Sequence, residues 1–144
     1  MTAPRNTPER VGIGQRHYPL AASTTVYAGR IAVLDGAHCK PGSTALGRVA
    51  VGVFTRTTAN PGSAGAVSAQ VQRGVFRFNN SAGDDEITLA EVGKKAWIVD
   101  DQTVAKTDGA DSPDPATRSV AGIVDDVDSE GVWVRIDPSY GVIA

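Results

Sequence analysis

Between residues 66 and 79 the chain reads AVSAQVQRGVFRFN, its longest strand-like run, and the rest of the fold has to accommodate what this run can do. Val67, Ala69 and Val71 alternate with Ser68, Gln70 and Gln72, a period of two that gathers the apolar groups on one face of an extended strand. After Gly74 the phase inverts: Phe76 and Phe78 become the apolar positions, and Arg73 and Arg77 face outward. A residue without a Cβ at an inversion of phase predicts a strand bent at a bulge or corner.

The rest of the chain is cut to suit such a strand. Sixteen Gly and eight Pro in 144 residues favour short strands and turns over helices. A chain of this length makes one domain, which buries roughly two-thirds of the surface exposed when unfolded. Short β-rich runs are expected at 24–27 and at 30–34, the second closed by the turn pair Asp35-Gly36. A longer run covers 46–57, where Val49, Val51 and Val53 alternate with Arg48, Ala50 and Gly52. Residues 95–99 and 103–107 predict a hairpin anchored by Trp97 and Val99, and 118–127 with 132–136 a closing hairpin. Segments 37–44, 58–65, 79–86 and 108–117 read as loops, the last with a Gly, two Pro and three Asp.

One helical signal is present. Thr88 and Glu91 have capping-box spacing, Ile87 and Val92 lie at staple positions, and Gly93 follows as a stop, which brackets a single turn over 89–92. VAVGVF at 49–54 and SVAGIV at 119–124 echo each other, each with a central Gly that marks a strand bent where backbones approach closely. The fold class expected is therefore all-β: a small barrel or sandwich of roughly seven to nine short strands with one short helical turn.

Residues 1–23 differ in composition. Pro4, Pro8 and Pro19 interleave with Arg5, Arg10 and Arg16, and Val11 and Ile13 are a brief apolar hint. This predicts an extended N-terminal arm at 1–23 and a single β-rich domain at 24–144. Arg5, Arg10, Arg16, His17 and Tyr18 are its candidate contact residues. Charge is also uneven: residues 1–80 hold nine Lys/Arg against two acids, and 81–144 hold five against fourteen. Two readings follow, a fold that interleaves the halves so that the field averages out, or a body with oppositely charged faces.

Catalytic and metal-binding patterns are sparse. Cys39 is the sole cysteine, which leaves no intramolecular disulfide, and it lacks the His-plus-acid setting of a nucleophile. His17 and His38 have no second ligand pair at usable spacing. Asp126, Asp128, Glu130, Gly131 and Asp137 echo a calcium loop, but a strand-like VWVRI runs through it and the twelfth position lacks the bidentate Glu. Neither a phosphate loop nor a Gly-x-Ser-x-Gly elbow occurs. The reading is a non-enzymatic protein without cofactor or metal, with no direct nucleic-acid or membrane partner. It has no apolar leader and no run long enough to span a bilayer, so it is expected to be made in the cytoplasm as a soluble protein. Trp97 and Trp133, on strand-like segments, and Tyr140 in the tail are candidates for a seam between subunits.

Five blocks in order carry a family resemblance: YAGRIAVLDG (27–36), LGRVAVGV (46–53), RGVFRFN (73–79), VGKKAWIVDDQTVA (92–105) and VAGIVDDVDSEGVWVRI (120–136). Together they resemble the capsid cement, or head decoration, proteins of tailed phages. The resemblance implies a structural β-rich protein on the outer surface of a phage head, clamping neighbouring major capsid subunits around packaged DNA. Members of the family sit as dimers, trimers or monomers, and self-association as a dimer or trimer is the expectation for this chain. It brings no catalytic residues. Residues 1–23 fall outside it, so a capsid-gripping role for the arm is a separate expectation. An alternative is a tail, baseplate or host-surface carbohydrate-binding module, for which Tyr18, Tyr27 and Tyr140 are the available tyrosines. An enzyme would draw on an acid pair such as Asp100 and Asp101.

Overall fold

A computed structural model describes residues 14–139 together with Arg5. Among them run twelve strands: β1 (Gln15–Pro19), β2 (Thr24–Val26), β3 (Ile31–Asp35), β4 (His38–Pro41), β5 (Val49–Phe54), β6 (Thr58–Asn60), β7 (Ser68–Gln72), β8 (Gly74–Asn80), β9 (Lys95–Asp100), β10 (Thr103–Ala105), β11 (Val120–Asp128) and β12 (Gly131–Ile136). Two single 3-10 turns, Gly83–Asp85 and Leu89–Glu91, are the only helical pieces among the described residues. The all-β expectation therefore holds. The helical turn is where the capping box predicted it: the Ala90 amide donates to Thr88 Oγ1 at 3.3 Å and the Thr88 amide to Glu91 Oε1 at 3.2 Å. The turn at Gly83–Asp85 replaces part of the expected loop.

Three sheets are built from these strands. β1-β7-β5-β3-β4 form an open sheet, β10-β8-β12-β11-β9 close into a five-stranded barrel, and β2 pairs with β6 alone. The run that inverts phase at Gly74 is where the two larger sheets meet, β7 belonging to the first and β8 to the second. Gly74 takes φ 151°, a conformation that side chains with a Cβ rarely adopt, and the chain changes sheet there.

Two hydrophobic cores result, with the open sheet between them. Ile31, Val33, Ala50 and Val53 point into the barrel-side core with Ile98, Val124, Val132, Val134 and Ile136. Ala32, Val51, Phe54, Ala69 and Val71 point the other way, into a second core with Leu20, Val26 and Cys39. A strand covered on both faces has no wet side, so the expected alternation of Val49, Val51 and Val53 does not survive. Val49 is instead 48% exposed, and Ala50 and Val53, three residues apart, share a core. A register shift opposite Gly52 explains that spacing, and a matching shift lies beside Gly122 in β11. A Cβ on Gly52 would collide with the Gln72 carbonyl oxygen, and one on Gly122 with the Arg135 carbonyl oxygen. The two echoed glycines are thus sites of close backbone approach, as their sequence context predicted.

Several local expectations are corrected. Residues 15–19, placed in the arm, form edge strand β1, in register with β7 from Gln15 opposite Gln72 to Pro19 opposite Ser68. Leu20 beside it is fully buried, so the folded body starts near Gln15 rather than at residue 24. Segments 37–44 and 58–65 contain β4 and β6; both are short pieces whose polar residues and prolines hide strand character until a partner is present. In β9 the core anchors are Ala96 and Ile98, both fully buried, while Trp97 and Val99 face the outside half-buried. Arg73, expected outward, is folded in with a side chain 14% exposed, its Nη2 donating to Tyr18 Oη at 2.9 Å.

Candidate functional site

The described residues contain no group of three or more His, Cys, Asp or Glu that could hold a metal ion. Cys39 lies in the second core, and burial pushes its thiol pKa up to about 12. His38 and Cys39 occupy edge strand β4, so adjacent side chains point to opposite faces. Asp100 and Asp101, the candidate acid pair, are engaged in structure. Asp100 Oδ1 accepts from the Gln102 amide at 2.9 Å, and Asp101 Oδ1 accepts from Arg30 Nη1 at 2.8 Å.

A few polar side chains stitch the open sheet to the barrel. The Ile31 amide donates to the Asp101 carbonyl at 2.8 Å beside the Arg30–Asp101 ion pair. Buried Ser119, at the head of β11, donates to the Ala45 carbonyl at 2.7 Å and accepts from the Arg48 amide at 3.0 Å. Buried Asn60 gathers a loop: its Nδ2 donates to the carbonyls of Ala21 and Ser63, both at 3.0 Å. Sequence reasoning passed over Ser119 and Asn60; Ser119 stands at the border of an apolar run, and Asn60 opens an Asn-Pro-Gly stretch within an expected loop. Arg30–Asp101, Arg73–Asp137 and Arg77–Glu130 each join a base from the basic half to an acid from the acidic half, so the halves interleave.

The contact residues expected from sequence are dispersed. Arg16, half-buried, and His17, exposed, lie on β1. Tyr18, on the same strand, is half-buried with its hydroxyl occupied by Arg73. Arg5 is exposed, while Arg10 and Tyr140 lie outside the described residues. Trp97 and Trp133 are both half-buried on the outside of the barrel. Trp133 is held within its own chain: Nε1 donates to Asp128 Oδ2 at 2.8 Å, and the Arg77 guanidinium lies over the ring at 5.6 Å. Trp97 has Lys95 over its ring at 5.8 Å.

Among the described residues, an open groove of about 840 Å3 lies at the end of the barrel. One wall is the turn between β11 and β12, the other the segment around the capped 3-10 turn. Asn80 fixes the second wall, donating to the Ile87 carbonyl at 2.8 Å and accepting from the Ile87 amide at 2.9 Å. Asp128 fixes the first, accepting from the amides of Glu130 at 2.8 Å and Gly131 at 3.1 Å. These donors, the Trp133 indole foremost, hold the Asp128 carboxyl below the usual carboxylate range. The expected turn role of the calcium-like acidic run is what Asp128 performs.

Comparison with models of protein families, with curated proteins and with solved structures finds no match to this chain. The fold defines an all-β protein made of a barrel packed on an open sheet, the two joined in part by polar contacts such as Arg30–Asp101 and Ser119–Ala45.

Proposed function

We propose that this chain is a capsid decoration protein, which binds the outside of a phage head and clamps neighbouring major capsid subunits. The observation that carries the reading is where the five resembling blocks lie. In order they contain β3, all but the last residue of β5 and of β8, the pair β9 and β10, and the pair β11 and β12, the strands that enclose the barrel-side core. A cement protein works as a stiff brace repeated over a symmetric shell, so weak contacts add through copy number rather than through one tight site. A sheet buried on both faces supports such stiffness. Arg16 and His17 on the edge strand are the shell-facing contacts in this reading, and Trp97, with its outer face half exposed, is the seam residue.

The test mixes purified protein with heads assembled without it, then measures co-sedimentation and DNA retention on heating. Saturation at a fixed copy number per shell, with DNA held to a higher temperature, is the expected outcome. Absence of binding to expanded heads would remove the capsid reading and send the protein to a glycan-binding screen.

A further inference from the structure

The groove at the barrel end mixes polar and apolar lining residues under an acidic rim. Ile87 and half-buried Val127 line it, and Leu89 stands 67% exposed at its lip. Glu86, Asp128 and Glu130 supply its charge, and no lysine or arginine is among its lining residues. Asp128 is used by its turn and Glu130 is bridged by Arg77 at 2.8 Å, whereas Glu86 is exposed and has no ion-pair partner among the described residues. An extended segment with an arginine next to β-branched aliphatic residues complements this surface in both charge and polarity.

Residues 1–13 of this chain have that chemistry, with Arg10 followed by Val11 and Ile13. Reach determines which copy can use it. The Gly14 carbonyl accepts from the Arg73 amide at 2.8 Å, so residue 14 sits at the Gly74 end of β8, and the groove sits at the Asn80 end. Six strand residues separate those ends, about 20 Å. Val11 extends no more than about 11 Å from Gly14, so Val11 and Ile13 fall short of the groove of their own chain. We propose that residues 10–13 of one copy dock in the groove of a second copy, with Arg10 against Glu86 and the aliphatic pair against Leu89 and Val127. The link would join neighbouring copies directly and does not rest on capsid binding.

Sedimentation of the full chain at low salt over a roughly hundred-fold concentration range tests this. Reversible self-association is expected, with Arg10→Glu and Glu86→Lys each weakening it about tenfold or more. Both positions reversed in one chain should restore it, since the new pair is again of opposite charge. Glu86 is exposed, so the urea midpoint of Glu86→Lys should match that of the parent and exclude misfolding as the cause. A chain that is monomeric throughout, association indifferent to Glu86→Lys, or a double variant no better than the singles would each overturn the proposal. Shell binding by a monomeric chain would overturn this link and leave the capsid reading; self-association without shell binding would do the reverse.

Discussion

Asp85 accepts from Thr107 Oγ1 at 2.5 Å and from Arg118 Nη1 at 3.2 Å, tying the turn at Gly83–Asp85 to the strand exit after β10. The Thr107 hydroxyl first, and then Arg118, hold its carboxyl below the usual range against the opposing effect of burial. A carboxylate whose folded pKa lies below its unfolded value of about 3.9 stabilises the fold above that pH, and the contribution is lost as pH falls through the folded value. Asp137, held down chiefly by Ser139, acts in the same direction. Urea midpoints measured from about pH 5 to about pH 2 should therefore fall, and fall less steeply in Asp85→Asn. Equal acid slopes in parent and variant would show that the Asp85 cluster is not where the acid sensitivity resides. None of this was legible beforehand, because 79–86 read only as a polar loop and the partner hydroxyl lies twenty-two residues away.

Glycines separate the strands that must merely extend from those that must also touch another backbone. Gly122 leaves no room for a Cβ beneath the Arg135 carbonyl, whereas Gly29, at φ 84°, has nothing within 4 Å of that position. Gly29→Ala carries only the cost of the left-handed conformation, about 1–2 kcal/mol. Gly122→Ala must move a barrel strand, an overpacking cost of about 1–3 kcal/mol or more, since the new methyl group would also crowd Val134. The expected outcome is a lower urea midpoint for Gly122→Ala than for Gly29→Ala; the reverse order would mean that the barrel yields at β11 without strain. At this scale the sequence was informative, since the echo of a central Gly in two apolar runs did mark close approach. It misjudged β5 and β9 because period-two patterns name two faces but not which is dry, and in β5 both are.

The open sheet is shared by both cores, so the molecule is expected to unfold as one cooperative unit. Trp97 and Trp133 stand on the barrel, and Cys39 is buried in the opposite core. Urea unfolding followed by tryptophan fluorescence and by exposure of the Cys39 thiol should give coincident midpoints, as two-state behaviour requires. Separate midpoints would show the barrel and the second core melting independently. The thiol should react slowly in the native protein, because burial pushes its pKa up to about 12 and the attacking species is the thiolate. Strand pairing inside the barrel explains the charge pattern: β8 belongs to the basic half in sequence but pairs with β12, so Arg77 meets Glu130 and the halves interleave.

What this chain settles locally is what depends on neighbours within a few residues. The alternation at 66–79, the corner at Gly74, the Thr88–Glu91 cap and the hairpins β9–β10 and β11–β12 follow from side-chain period and backbone freedom and could be read in advance, whereas the turn after β3 is Gly36-Ala37, one residue beyond the expected Asp35-Gly36 pair. Tertiary structure alone decided the rest. The strands β1, β4 and β6 exist because another strand supplies their hydrogen bonds, Arg73 turns inward because Tyr18 and Asp137 receive it, and the groove exists because two turns far apart in sequence meet at one barrel end. Those outcomes rest on pairings across long stretches of chain, which local composition does not encode.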